Sequence, residues 1–261
     1  WAKWKPCAQG DTVRITDGAI DSGKLYIDAL KPENGKYKLQ AYSTPKSAYS
    51  KKSRSFQNLN LQQIASKIAK ENKLTARFFD VPETRFKYVQ QKGQSDLAFL
   101  QSLCKQRGVS FIIFNGAVCL YSEKYLEGVN ASKTLSPSRT DDFTITDDKQ
   151  ASWASCELRN GTYTGTASDA NVKTGKTYRE TVTAAWENQA DANAAASARL
   201  RQLNKSGKRA ELVMSTQRQL AAGSVVDLEC NGWEGKAFIY RLRHDLLKKS
   251  SRLWLREPLS Y

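Results

Sequence analysis

The sequence predicts an α+β fold that is mainly β, with a β region at each end and a module of two helices on a small sheet between them. Three observations carry that prediction. Short runs alternating apolar and polar side chains, punctuated by Gly, Asn, Asp and Pro, fill both ends of the chain. Two central stretches place apolar residues at helical spacing behind good N-caps. A third helical stretch, rich in alanine, interrupts the C-terminal strands. The boundaries read as 1–50 for the first β region, 51–125 for the α+β module, 126–150 for a linker and 151–261 for the second β region.

The most informative stretch is 86–121, read as strand, turn, helix, strand, tight turn, strand. Phe86, Tyr88 and Val89 are strand formers, and Lys92-Gly93 breaks the run. Ser95 stands where an N-cap belongs. Asp96 puts a negative charge at the positive end of the helix, and Lys105 and Arg107 put cations at the other. Leu97, Leu100, Leu103 and Cys104 form one apolar stripe, and Gly108 suits the left-handed residue that stops a helix. Asn115-Gly116 marks a two-residue hairpin. Losing the cap would cost about 1 kcal/mol, whereas each buried leucine contributes roughly 1.5–3 kcal/mol. Packing therefore dominates, and the cap sets the register.

An earlier helix opens at Asn60, with Gln63 completing a capping box and Leu59 and Ile64 at staple positions. Leu61, Ile64 and Ile68 are its buried stripe, and it fades at Glu71-Asn72. Upstream, DTVRIT, KLYIDAL and KYKLQAYS read as three strands, too few to close a core alone. Residues 43–57 read as a polar connection, and within it Lys51, Lys52 and Arg54 form the densest positive cluster. Those three are the candidates for a DNA-facing or interface role, against the plainer reading of a solvated linker.

The linker 126–150 is rich in Ser, Thr, Asn and Asp. Its Asp141-Asp142 and Asp147-Asp148 pairs suggest metal binding only weakly, since strand neighbours point to opposite faces. Beyond it, WASCELRNGTYTG and KTYRETVTAAW read as strands and residues 188–204 as the alanine-rich helix. Small side chains there permit close approach to a sheet. RAELVMSTQ, SVVDLEC, KAFIYRLRHDLL and SRLWLRE then read as an antiparallel meander, consistent with a small barrel.

Composition narrows the function. The chain of 261 residues suits about two domains at roughly 150 residues each. No window approaches the ~20 apolar residues of a membrane span, and no signal peptide is evident. The chain opens on Trp1 instead of Met, as expected for a processed or trimmed product. The five cysteines, at 7, 104, 119, 156 and 230, make no CxxC pair and suit a protein made in a reducing cytoplasm. A net charge of +15 favours acidic partners such as nucleic acid, although the cations are dispersed along the chain. The one histidine, His244, lies on a strand pattern with no nucleophile elbow to accompany it, so a packing role outweighs catalysis. There is no P-loop and no GxGxxG. No catalytic, cofactor or metal site is expected.

KSRSFQNLNLQQIASKIAKENKL and QSDLAFLQSLCKQRGVSF resemble the late control gene D proteins, baseplate hubs of contractile-tailed phages related to the hub module of type VI secretion spike proteins. ADANAAASARLRQLNK, LAAGSVVDLEC and FIYRLRHDLLKKSSRLWLRE extend the resemblance across most of residues 10–256 in consistent order. It implies two small antiparallel β-barrel-like domains flanking the α+β module, the first incomplete because the family has a β segment before the position of Trp1. It implies a homotrimer whose six barrels form a ring between a six-fold tail tube and a three-fold spike. It also implies a location in the virion tail baseplate, synthesis in the bacterial host cytoplasm, tail tube, spike and other baseplate proteins as partners, and DNA passing through a basic channel. The competing readings are a basic nucleic-acid-binding protein and a tail-associated cell-wall hydrolase.

Overall fold

The structure, a computed structural model, describes residues 7–138, 140–259 and 261. The expected incomplete start at Trp1, and Arg139 within the expected linker, lie outside the described residues. Strands take 46% of the chain and helices 20%, so the fold is α+β and mainly β, with curled sheets. The chain divides into two compact units, one running to Leu103 and including Phe111–Leu120, the other holding Cys104–Ser110 and Tyr121–Tyr261.

The first unit opens with β1 (Thr12–Val13), β2 (Thr16–Asp17), β3 (Ile20–Asp21), β4 (Leu25–Glu33) and β5 (Lys36–Tyr42). β1, β4 and β5 form an antiparallel sheet in that order, and β2 pairs with β3. Asn34 and Gly35, both at positive φ, make the tight turn between β4 and β5. Pro32 is tolerated within β4 because β1 pairs only with its first residues, so the missing N–H falls on an open edge. Leu30 opposite Leu39 and Pro32 opposite Tyr37 share one face, and Lys31 opposite Lys38 the other.

The chain continues through β6 (Lys51–Asn60), α1 (Leu61–Glu71), β7 (Thr75–Phe79), β8 (Arg85–Ser95), α2 (Asp96–Gln106), β9 (Val109–Phe114) and β10 (Ala117–Ser122). β6 pairs antiparallel with β8, and β7, β10 and β9 form a three-stranded sheet in that order. The connection expected over residues 43–57 is corrected here, because β6 begins at Lys51. Its inward positions are Lys52, Arg54 and Phe56, so ion pairing supplies part of the alternation that hydropathy alone does not reveal. The break expected at Lys92-Gly93 is an irregularity within β8, opposite the register shift between Lys52 and Arg54.

The capping box of α1 is present, with Gln63 N–H donating to Asn60 Oδ1 at 2.9 Å and Asn60 N–H to Gln63 Oε1 at 3.0 Å. Ala65 and Ala69 join Leu61, Ile64 and Ile68 on its buried face, which lies on β6 and β7. In α2 the Ser95 hydroxyl accepts from Ala98 N–H at 3.2 Å, as its position predicted. Phe99, absent from the expected stripe, is buried and stacks on Phe56 with ring centroids 5.4 Å apart.

The second unit carries α3 (Glu123–Glu127), β11 (Thr134–Leu135), β12 (Asp142–Asp147), β13 (Ser155–Arg159), β14 (Thr164–Ser168), β15 (Thr177–Thr181), α4 (Gln189–Asn204), β16 (Lys208–Ser215), β17 (Val225–Cys230), β18 (Trp233–Asp245) and β19 (Ser250–Arg256). The stretch expected as a linker thus contributes two strands. β12 pairs with β16 from Lys208 to Val213, and Ile145 packs on the core of the larger sheet. Residues 151–261 contribute to two sheets. A three-stranded sheet, β14-β13-β15, lies under α4, while a six-stranded sheet runs β11-β17-β18-β19-β16-β12. The expected meander is altered, since β16 pairs with β19 instead of β17. Residues 216–224 are too long a link for a tight hairpin, which usually spans about 2–5 residues. Leu212, Val226, Leu228, Trp233, Ile239 and Leu253 fill the core of the larger sheet.

Small residues let α4 close on its sheet. A Cβ on Gly165 would lie 2.0 Å from the Ala192 carbonyl oxygen. Gly108 is held twice, by φ +66° and by Ala198, whose Cβ would sit 3.0 Å away. Replacing Gly165 with alanine should destabilise the protein by about 1–3 kcal/mol through overpacking, read as a lower thermal midpoint. An unchanged midpoint would show that α4 does not approach β14 this closely.

Candidate functional site

The three cations singled out in the sequence fall on one strand with different surroundings. Lys51 is exposed. Lys52 and Arg54 point inward to Asp96, whose side chain is fully buried at the start of α2. Asp96 Oδ2 accepts from Lys52 Nζ at 2.6 Å and Asn72 Nδ2 at 2.9 Å, and Oδ1 accepts from Arg54 Nη2 at 2.9 Å and Gln91 Nε2 at 3.1 Å. Four donors match the roughly four acceptor sites of a carboxylate. Glu71 completes the cluster, accepting from Arg54 Nη1 at 2.6 Å and Lys52 Nζ at 3.0 Å. Two cations thus meet two carboxylates, so Lys52 and Arg54 are neutralised and Lys51 alone of the densest positive cluster in the sequence stands outside the network.

Burial alone would raise the Asp96 carboxyl, but hydrogen bonds from Lys52, Asn72 and Gln91 and the Lys52 charge hold it below the usual range. Burial likewise works against the ionised forms of Glu71 and Lys52, and their hydrogen bonds and opposite charges prevail, lowering the acid and raising the amine. From spacing alone Asp96 has only a helix-dipole role. Asn72, where the α1 pattern fades, is buried and donates both to Asp96 and to the Ile68 carbonyl.

A second network lies within the second unit, in the stretch where sequence signals weaken. Glu123 and Glu127, one turn apart on α3, both accept from Arg256 Nη2, at 2.7 and 2.5 Å. Glu127 Oε2 also accepts from Arg201 Nη2 at 2.9 Å and Leu259 N–H at 2.7 Å. α3, α4, β19 and the C-terminal segment are thereby tied together around a carboxylate whose side chain is 2% exposed. The EKYLE spacing was the one available signal, because residues four apart share a helix face.

The remaining sequence candidates stay apart. His244 Nδ1 lies 2.8 Å from Ser251 Oγ, which in turn accepts from Gln217 N–H at 2.8 Å, and burial lowers the histidine pKa. That is a hydrogen-bonding role on the core side of β18. Asp141 accepts from Ser138, and Asp147 from Lys149 N–H. Among the described residues, no three His, Cys, Asp or Glu side chains gather where they would hold a metal ion. All five cysteines are free thiols, and burial pushes those of Cys104 and Cys156 up to about 12 and about 11.

The sequence pattern of one family, the phage tail baseplate hub (GPD), matches residues 47–246. The chain belongs to that family. Solved structures share the fold. The 43 kDa tail protein of prophage MuSo2 from Shewanella oneidensis superposes with a TM-score of 0.75 at 13% identity, covering 99% of this chain and 85% of that one. A tail protein from Neisseria meningitidis gives 0.72 at 14% identity, covering 97% and 85%. An Escherichia coli type VI secretion system component gives 0.59 at 14% identity, covering 95% and 63%. No curated protein matches the chain. The hub family is a component of the virion tail, so this is a structural tail protein by family.

Replacing Asp96 with asparagine leaves Lys52 and Arg54 facing a neutral group and should cost about 3 kcal/mol, measured by denaturant unfolding. Asp96 and Glu71 both titrate lower folded than unfolded. The stability they add is therefore complete above the unfolded carboxylate pKa of about 4 and is lost as pH falls through the folded values. An Asp96→Asn protein should lose part of that acid dependence; an identical pH profile would count against the network.

Proposed function

We infer that this hub protein acts by shape, as a homotrimer forming a ring that adapts a six-fold tail tube to a three-fold spike, with no catalytic step of its own. The observation that carries this reading is the β4–β5 arm. Residues 31–40 are exposed on both faces although regularly paired. Tyr37 is 65% exposed and Leu39 42%. A two-stranded hairpin is marginal in water by itself, and an apolar stripe beside the outer strand of a sheet suits a surface covered on assembly. The family membership supplies the tail setting, and symmetric copies of one chain are the commonest way such a surface is closed.

On this reading the protein is made in the host cytoplasm, where its five thiols stay reduced, and meets the tail tube, spike and other baseplate proteins afterwards. A DNA-facing role at Lys51, Lys52 and Arg54 is then carried by Lys51, the other two being committed to Asp96 and Glu71. Light scattering should give three times the chain mass, with rings in negative-stain images. Replacing Tyr37 and Leu39 together with glutamate should shift the mass toward the monomer without unfolding the protein. A wild-type protein that stays monomeric at every concentration, or a double variant that still assembles, would remove the arm from the account.

A further inference from the structure

The positive charge left after the internal networks are satisfied is not spread evenly. On the outward face of the β18–β19 hairpin stand Arg241, Arg243, Arg252 and Trp254, and the turn adds Lys248 and Lys249. The register sets Arg243 directly opposite Arg252 and Arg241 opposite Trp254. Like charges facing each other across a strand pair lower stability. The acids nearby offset this only at Arg252. Glu211 is held by Arg252 at 3.1 Å and by Trp254 Nε1 at 3.0 Å, and Asp245 accepts from the Lys248 backbone N–H at 3.0 Å. Among the described residues, no carboxylate forms an ion pair with Arg241, Arg243, Lys248 or Lys249. The Arg241 guanidinium lies 4.4 Å from the Trp254 ring centroid, and Arg252 flanks the same ring at 6.0 Å. Stacking holds these long side chains in place, so less freedom is lost when they meet a ligand.

We propose that this hairpin face binds the phosphate backbone of nucleic acid. Guanidinium groups match phosphate oxygens in pairs, and the Trp254 ring holds the Arg241 guanidinium stacked beside them. The strip follows two paired strands, the form of an extended polyanion more than of a single phosphate. The inference does not need the trimer, because every group named lies on one hairpin of one chain.

The test is fluorescence anisotropy of the full chain with labelled double-stranded and single-stranded DNA of mixed sequence, titrated between 50 and 200 mM salt. Binding should weaken with salt at a slope of about −0.9 per phosphate contacted on duplex DNA. The triple variant Arg243→Gln, Lys248→Gln, Lys249→Gln should flatten that slope by about two to three units and lower affinity at least tenfold at 100 mM salt. Its melting temperature should be no lower than that of the wild type. The variant Lys31→Gln, Lys36→Gln, Lys38→Gln removes equal charge from the β4–β5 arm and should leave both quantities near wild type. No binding at 50 mM salt overturns the proposal, as does equal weakening by the two triple variants. Competition by polyglutamate as effective as unlabelled DNA would also overturn it, assigning the surface to an acidic protein. Light scattering of the same samples keeps the result separate from the assembly state: a monomer that binds DNA through this face leaves the inference standing and the ring reading refuted.

Discussion

A carboxylate removed from water has to be answered by donors, and much of this molecule's arrangement follows from that requirement at Asp96. From the first turn of α2 its four hydrogen bonds reach β6, the end of α1 and β8, so one buried side chain fixes how four elements meet. Hydrophobic burial supplies the larger energy, through Leu61, Ile64, Phe99 and Leu100. Apolar contact is non-directional, however, and does not by itself fix the register of β6 against β8. The Asp96 cluster adds direction. The second unit repeats the device with Glu127, gathering Arg201, Arg256 and the Leu259 N–H.

This constraint also sorts the positive charge. Cations recruited by buried acids cannot serve an external anion without leaving those acids unanswered, which costs several kcal/mol per ion. Lys52, Arg54, Arg201 and Arg256 are therefore part of the fold. Arg241, Arg243, Lys248 and Lys249, on the outward face and turn of the β18–β19 hairpin, are under no such demand. A basic net charge is in this way divided between internal neutralisation and a surface that faces outward.

What the sequence disclosed depended on the kind of signal. Asn60 with Gln63, Ser95, Gly108 and Asn115-Gly116 act through local backbone chemistry, so caps and turns were legible residue by residue. The alanine-rich α4 was legible because only small residues allow the closeness seen at Gly165. β6 was not, since its inward side chains are a lysine, an arginine and a phenylalanine, a pattern hydropathy reads as a loop. β12 hid among aspartates, although Ile145 reaches the core. Strand order was out of reach for a different reason: the pairing of β16 with β19 joins strands distant in sequence, and only the length of residues 216–224 hinted against a simple meander. The partners of Asp96 were likewise invisible, lying 42 and 44 residues away on β6 and 24 away on α1.

The most direct test is a double-mutant cycle between Arg54 and Asp96, using Arg54→Gln and Asp96→Asn with denaturant unfolding of all four proteins. Two side chains cooperating in one buried network should show a coupling energy of about 1.5–3 kcal/mol. Additivity within about 0.5 kcal/mol would mean that the pair is incidental to the fold, and the division of charge drawn from it would fail.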